Sequence, residues 1–192
     1  MYPVTLTSPT VSLREFEASD DVDAVLAIYG DPCVTEHLSF EPRDRAQVEA
    51  TLASVTKAAG DEPRTEYSLA AVRPTGELIA FARLAVDTQH PGQSSGQIGF
   101  ALCADQWGQG LGTQVVELLL RLGFGELGLH RIWGARSPDN HASGRLMRKL
   151  GMVEEGRIRD HLLVRGRWRD SIIHSILEDE WRPSLSPSPP DR

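Results

Sequence analysis

Three glycines at alternate positions, Gly108, Gly110 and Gly112, stand directly before an apolar helix pattern, and this conjunction carries the clearest chemistry in the chain. Leu111, Val115, Leu118, Leu119 and Leu122 recur at i, i+4, i+7, i+8 and i+11, one face of a helix. Upstream, Ile98, Phe100 and Leu102 alternate with Gln97, Gly99 and Ala101, the period of a strand. A helix that starts inside a glycine turn aims unpaired backbone N–H groups, and the positive end of its dipole, at the space before it. That geometry suits a phosphate. The spacing excludes two common phosphate binders. No GxxxxGK[ST] string occurs, and residues 110–115 lack the third glycine of GxGxxG, which counts against a nucleotide-binding regulator.

The elements that must position this loop read as one α/β chain. Of 192 residues, 40% are hydrophobic and 24% charged, enough for one soluble domain with a sizeable core. The net charge of −7 argues against nucleic acid as a partner and mildly favours a cationic acceptor. Cys33 and Cys103 are the only cysteines and read as reduced thiols; no cluster suggests a metal. The first residues lack a basic, apolar leader, and no apolar run reaches the ~20 residues of a membrane span, so a cytoplasmic location is expected. Residues 11–16 alternate as an opening strand. Ser19 is placed to cap a first helix whose apolar face is Val22, Val25 and Leu26, with Tyr29 at its end. Asp44 with Gln47 forms a capping box for a second helix carrying Val48, Leu52 and Val55. Residues 68–73 and 78–86 make a hairpin about Pro74-Thr75-Gly76. Residues 123–129 read as a frayed connection and 130–135 as a strand parallel to the one before the long helix. Asn140 opens a last helix, with Ser143, Leu146, Met147 and Leu150 on one face. Residues 152–158 and 168–177 form a closing hairpin. Residues 182–192 form a Pro/Ser-rich tail expected to be disordered.

The string WGQGLG at residues 107–112 resembles the [QR]xxGx[GA] pyrophosphate loop of the GNAT superfamily of acyl-CoA N-acyltransferases, with Trp107 in place of Gln or Arg. Residues 140–152, NHASGRLMRKLGM, resemble the family's N..S..[LM]..[LK]G[FM] segment and follow the loop at the expected distance. LREF near the start, and residues 155–157 (EGR) with Asp170 near the end, resemble its RimJ/RimL-like branch, which contains the ribosomal-protein N-terminal acetyltransferases. The resemblance covers about residues 11–181. It implies an α+β GNAT fold within residues 1–181: a mixed, mostly antiparallel sheet of about seven strands, one parallel pair at the cofactor cleft, and about four flanking helices.

It also implies acetyl transfer from acetyl-CoA to a primary amine by direct attack in a ternary complex. A protein or peptide N-terminus is the first acceptor class. A small amine (polyamine, amino acid or aminoglycoside) is the second, and a noncatalytic acyl-CoA-binding module is the alternative from another class. Such chemistry needs a held donor, a neutral amine, a hydrogen-bond donor for the oxyanion and a proton for the leaving thiolate. The resemblance assigns the pyrophosphate to the turn Gln109, Gly110, Leu111, Gly112 and Thr113. It assigns the pantetheine and the thioester oxygen to the backbone at Leu102, Cys103 and Ala104. Asn140 resembles a residue that contacts the pantetheine arm, and it reads equally as a plain helix cap. Ser143 is the implied general acid, or a helix-start serine bonding locally. Arg145, Arg148 and Lys149 face either the 3′-phosphate or solvent. The position where some relatives carry a basic carboxylate is Leu162 here. His161, Asp170, His37, Glu66, Tyr67 and Asp105 stay open as bases, as does a water chain, and His161 is expected to point away from the face that Leu162 occupies. The arginines at 157, 159, 165, 167 and 169 read as a solvated strand face. The sequence leaves a homodimer open.

Overall fold

The computed structural model describes residues 2–90 and 92–182; the tail from residue 183 onward lies outside the described residues. In chain order the elements are β1 (Leu6–Thr7), β2 (Ser12–Arg14), α1 (Val22–Tyr29), α2 (Pro32–Thr35), α3 (Arg45–Ala58), β3 (Glu66–Val72), β4 (Leu78–Val86), β5 (Ser95–Leu102), α4 (Leu111–Leu120), β6 (Arg131–Arg136), α5 (His141–Lys149), β7 (Val153–Val164) and β8 (Arg167–Leu177). The strands form one sheet in the order β1-β2-β3-β4-β5-β6-β8-β7. Every neighbouring pair is antiparallel except β5–β6, which α4 joins as a crossover. The eighth strand is the two-residue β1, and α2 is a single turn; neither is long enough to carry a periodic signal.

The sheet is covered on both faces at its centre, where β3 and β4 are buried almost end to end. Leu69 and Ala71 join a core with α4, while Ala70 and Val72 join a second core with α1 and α3. Alternate residues of one strand thus feed opposite cores. Leu118, Leu119, Leu120 and Leu122 are fully enclosed. Each such leucine stabilises by about 1.5–3 kcal/mol relative to an exposed one, so α4 is fixed rigidly behind the glycine loop.

Local chemistry sets the helix ends. Asp44 and Gln47 form the expected capping box on α3. Ser19 does not cap α1. Asp21 holds the N-cap position, and its carboxylate takes the Arg14 guanidinium at 2.8 Å and the Glu17 N–H at 2.8 Å. An ion pair is the stronger partner for a carboxylate, so the Asp21 side chain makes no cap either, and the Ser19 hydroxyl donates to Asp20 Oδ1 at 2.7 Å. The stretch after α4 does not fray. It continues as a π-helical turn, Arg121–Glu126, in which Gly123 packs so closely that a Cβ would lie 2.4 Å from Ile132 Cδ1. The fit of that glycine against β6 holds the turn in register.

Candidate active site

The glycine loop meets the open side of the crossover. Gly108 and Gly110 adopt φ of +75° and +78°, backbone that favours glycine, and nothing lies within 4 Å of a Cβ built on either. Gly110 is the N-cap of α4 and supplies no side-chain cap, so the first N–H groups of the helix face this open space. Arg73 braces the loop from behind, donating to Gln106 Oε1 at 2.6 Å and Gln109 Oε1 at 2.8 Å. The Gln109 side chain is thereby turned onto the scaffold, and only its backbone remains for a ligand.

β5 and β6 pair only from Ser95↔Arg131 to Ile98↔Gly134, although β5 runs on to Leu102. Beyond Ile98 the edge of β5 is free on that side. The antiparallel ladder to β4 decides which backbone groups use it. Cys103 N–H donates to the Ile79 carbonyl at 2.9 Å, so Cys103 faces β4 and alternate residues Leu102 and Phe100 face the gap. The Leu102 carbonyl already accepts from the Trp107 indole at 3.2 Å. The open donors are therefore the N–H groups of Phe100 and Leu102. Cys103, expected among the donor-binding positions, lends its N–H to the sheet instead.

A cleft of two lobes opens here. One, about 730 Å³, is lined by Gly108, Gly110, Leu111, Gly112 and Thr113, with Leu102, Arg145 and Lys149. The other, about 410 Å³, lies toward the β7–β8 hairpin and is lined by Tyr29, Phe40, Arg83, Arg136, His161, Leu162, Arg169 and Ser171. Both volumes fall in the range of small-ligand sites. The lobes share His37, Leu38, Phe100, Ala101, Asn140 and Ser143. Asn140 caps α5 by accepting from the Ser143 N–H at 3.0 Å, and from that cap it also lines both lobes. Arg148 turns to Glu154 at 3.6 Å, leaving Arg145 and Lys149 as the cations of α5 on the larger lobe.

The hairpin departs from simple alternation. Between Ile158↔Ser171 and Leu162↔Arg169 β7 bulges, with Asp160 at φ +46°. The bulge brings His161 to the same lobe as Leu162, against the expectation that they point apart. Ser171 Oγ lies 2.8 Å from His161 Nδ1. Asp170 lines neither lobe. It accepts from the Asp160 N–H at 2.8 Å and from the Arg157 guanidinium, contacts that hold its carboxyl below the usual range and fasten the bulge. Expected as a candidate base, it stands outside the cleft. Of the other proposed bases, Glu66 is ion-paired with Arg83 and Tyr67 is buried, while only His37 lines the cleft with His161. The hairpin tip crosses to α2, where Arg165 donates to the Glu36 carbonyl at 3.2 Å.

Sequence reasoning did not single out Phe100, whose main-chain N–H faces the gap, or Arg169, which was grouped with the solvated arginines of the hairpin. The bulge sets Arg159, Asp160 and His161 opposite Asp170 alone, two residues more than a regular ladder, and no local pattern reports that. Cys33 and Cys103 are free, as expected. Among the described residues no helix is long and apolar enough to cross a membrane.

Residues 10–153 match the family model of the acetyltransferase (GNAT) domain. The chain is 28% identical over 92% of its length to an uncharacterized N-acetyltransferase, p20, of Bacillus licheniformis, covering 98% of that protein. It is 30% identical to the ribosomal protein uS5-alanine N-acetyltransferase of Escherichia coli over 45% of this chain and 44% of that one. In fold it is similar to the spermidine N-acetyltransferase of Vibrio cholerae, solved with CoA and spermine, at a TM-score of 0.75 and 19% identity, covering 88% of this chain and 96% of that one.

Proposed function

This chain belongs to the GNAT acetyltransferase domain family and is an acyl-CoA-dependent acetyltransferase; from that premise we propose that it acetylates a primary amine, with an α-amino group at a peptide or protein N-terminus as the leading acceptor class, by direct attack in a ternary complex. The observation that carries the reading is the junction of the two lobes, where Phe100, Ser143 and Asn140 line both. The larger lobe fits acetyl-CoA as donor substrate. The N–H groups of Gly110, Leu111 and Gly112 and the cations Arg145 and Lys149 would hold its phosphates, and the free edge of β5 would hold its arm. The donor supplies the acetyl thioester.

The chain's own groups do the rest. Phe100 N–H is the donor for the carbonyl oxygen as negative charge develops there. Ser143, at the first turn of α5, gives a proton to the departing sulfur. In the tautomer whose Nδ1–H donates to Ser171 Oγ, 2.8 Å away, His161 keeps its Nε2 lone pair for the amine proton. A second reading gives that proton to His37, because His37 alone of the two histidines lies at the junction.

Calorimetric titration with acetyl-CoA should give micromolar binding that Gly110→Glu abolishes. Gly110→Asn, which tolerates the left-handed backbone, should retain more of it. In acetyl-transfer assays His161→Gln should lower kcat by about 10²–10⁴-fold and remove the limb of the pH–rate profile that reports the base. Loss of that limb in His37→Gln instead would move the role to His37. Absence of acetyl-CoA binding to the unaltered protein would overturn the donor assignment.

A further inference from the structure

The smaller lobe carries a charge pattern opposite to that of the chain. The net charge is −7, yet no Asp or Glu is among the residues that line this lobe, and its charged or titratable side chains include Arg83, Arg136, Arg169, His37 and His161. Two of the arginines are already occupied. Arg83 is bidentate to Glu66, with Nη2 at 2.8 Å from Oε2. Arg136 donates to the Pro138 carbonyl at 2.8 Å, to His174 Nε2 at 3.2 Å and to Glu154 at 3.3 Å. Arg169 is different. Its Nε–H is sealed from solvent without a hydrogen-bond partner. Asp139 is the one carboxylate that acts on it favourably, without forming an ion pair, while burial and the nearby Arg165 push its pKa down.

The closed Nε–H is out of reach of a ligand as of water, but no described group pairs with the rest of the guanidinium, whose two terminal Nη groups form a donor fork that matches a carboxylate in bidentate fashion. A single free fork suits a monoanion. A polyamine or aminoglycoside would bring further cations into a lobe lined by no carboxylate and by one guanidinium without an ion pair. The negative net charge does not offset this, because exposed charges are screened beyond about 10 Å at 0.1 M salt.

We infer that the acceptor is a primary amine that itself carries a carboxylate, and that Arg169 on β8 is the specificity residue that receives this carboxylate in the lobe between the β7–β8 hairpin and β5. The inference rests on the acetyltransferase reading above and names the acceptor class within it. Two sources share the chemistry: a free amino acid, and a peptide N-terminus with an acidic side chain close behind it.

The test compares matched acceptors with acetyl-CoA as donor, following release of the free thiol. The pairs are an amino acid against its carboxamide and a short peptide with Asp or Glu at its second position against Asn or Gln, with spermidine alongside. In at least one pair the carboxylate form should have kcat/KM higher by roughly 30-fold or more, expressed in KM. Arg169→Gln should collapse that ratio toward one, and Arg169→Lys should restore part of it. Retained acetyl-CoA binding by calorimetry shows that the variants are folded. The same pairs are also titrated into the protein with CoA bound, which reads the lobe without turnover. Selective carboxylate binding without any transfer would uphold the inference and sink the catalytic reading. Transfer that favours spermidine or ignores the carboxylate, or an Arg169→Gln variant that weakens all acceptors equally, would overturn the inference and leave the catalytic reading standing.

Discussion

At the scale of residues, the cleft separates groups by whether their chemistry is free. Cys103 follows Leu102, which lines the larger lobe, and a nucleophilic cysteine there would suggest a covalent route. Burial, with the repulsion of Asp105 behind it, pushes its thiol up to about 11, so at neutral pH it is protonated and poorly nucleophilic. Cys103→Ser should keep kcat within a few-fold of the unaltered enzyme, and the Cys103 thiol should react with alkylating reagents more slowly than exposed Cys33, read by mass spectrometry of the labelled protein. A collapse of activity in Cys103→Ser with the fold intact would point to an acyl-enzyme. Asn140 shows that a structural role and a site role can sit on one side chain: its Oδ1 caps α5 while the residue lines both lobes.

At the scale of elements, the β7 bulge does what no single residue could. A regular strand would send His161 and Leu162 to opposite faces. Asp170 fastens the irregularity through the Asp160 N–H and Arg157, which makes it a positioning residue for His161. Asp170→Asn keeps a carbonyl for the Asp160 N–H and loses the ion pair; Asp170→Ala loses both. Activity should fall in the order unaltered, Asn, Ala, with acetyl-CoA affinity constant by calorimetry. An Asp170→Asn variant that loses all activity and shifts the pH–rate profile would instead indicate that the carboxylate itself handles the proton.

At the scale of the whole molecule, the far side of the sheet is held by groups that respond to acid. Glu155 on β7 accepts from Arg131 on β6 and from Ser175 on β8, and these hydrogen bonds, Arg131 first, lower its carboxyl to about 2. Its unfolded-state value lies near 4.5. The stabilisation is therefore complete above about pH 4.5 and lost as pH falls toward 2. His174 is fully enclosed, accepts from Arg136 at 3.2 Å, and is held below its ordinary 6.5, first by burial and then by Arg136. The unfolded chain takes that proton more readily, so stability also declines as pH drops below 6.5. Thermal melts should show Tm falling in both windows. Glu155→Gln should flatten the lower one only, and an unchanged slope there would show that Glu155 contributes nothing.

The amino-acid sequence by itself determined the order of most elements and the glycine loop. Period-2 and period-3.6 apolar patterns, the capping box at Asp44 and the cap at Asn140 are local physics, complete within a few residues. The family, and the glycine loop that we assign to the donor, followed from two motifs made of such local features. What the tertiary structure decided is everything that depends on pairing between distant segments. β5 and β6 part after Ile98, and the ladder to β4 hands the free N–H to Phe100 and takes it from Cys103. The bulge turns His161 into the cleft, and the lobe it enters is basic because Arg83, Arg136 and Arg169 arrive there from three strands. A strand's facing is fixed by its partners, and a shift of one residue reverses it, so no stretch read alone can report it.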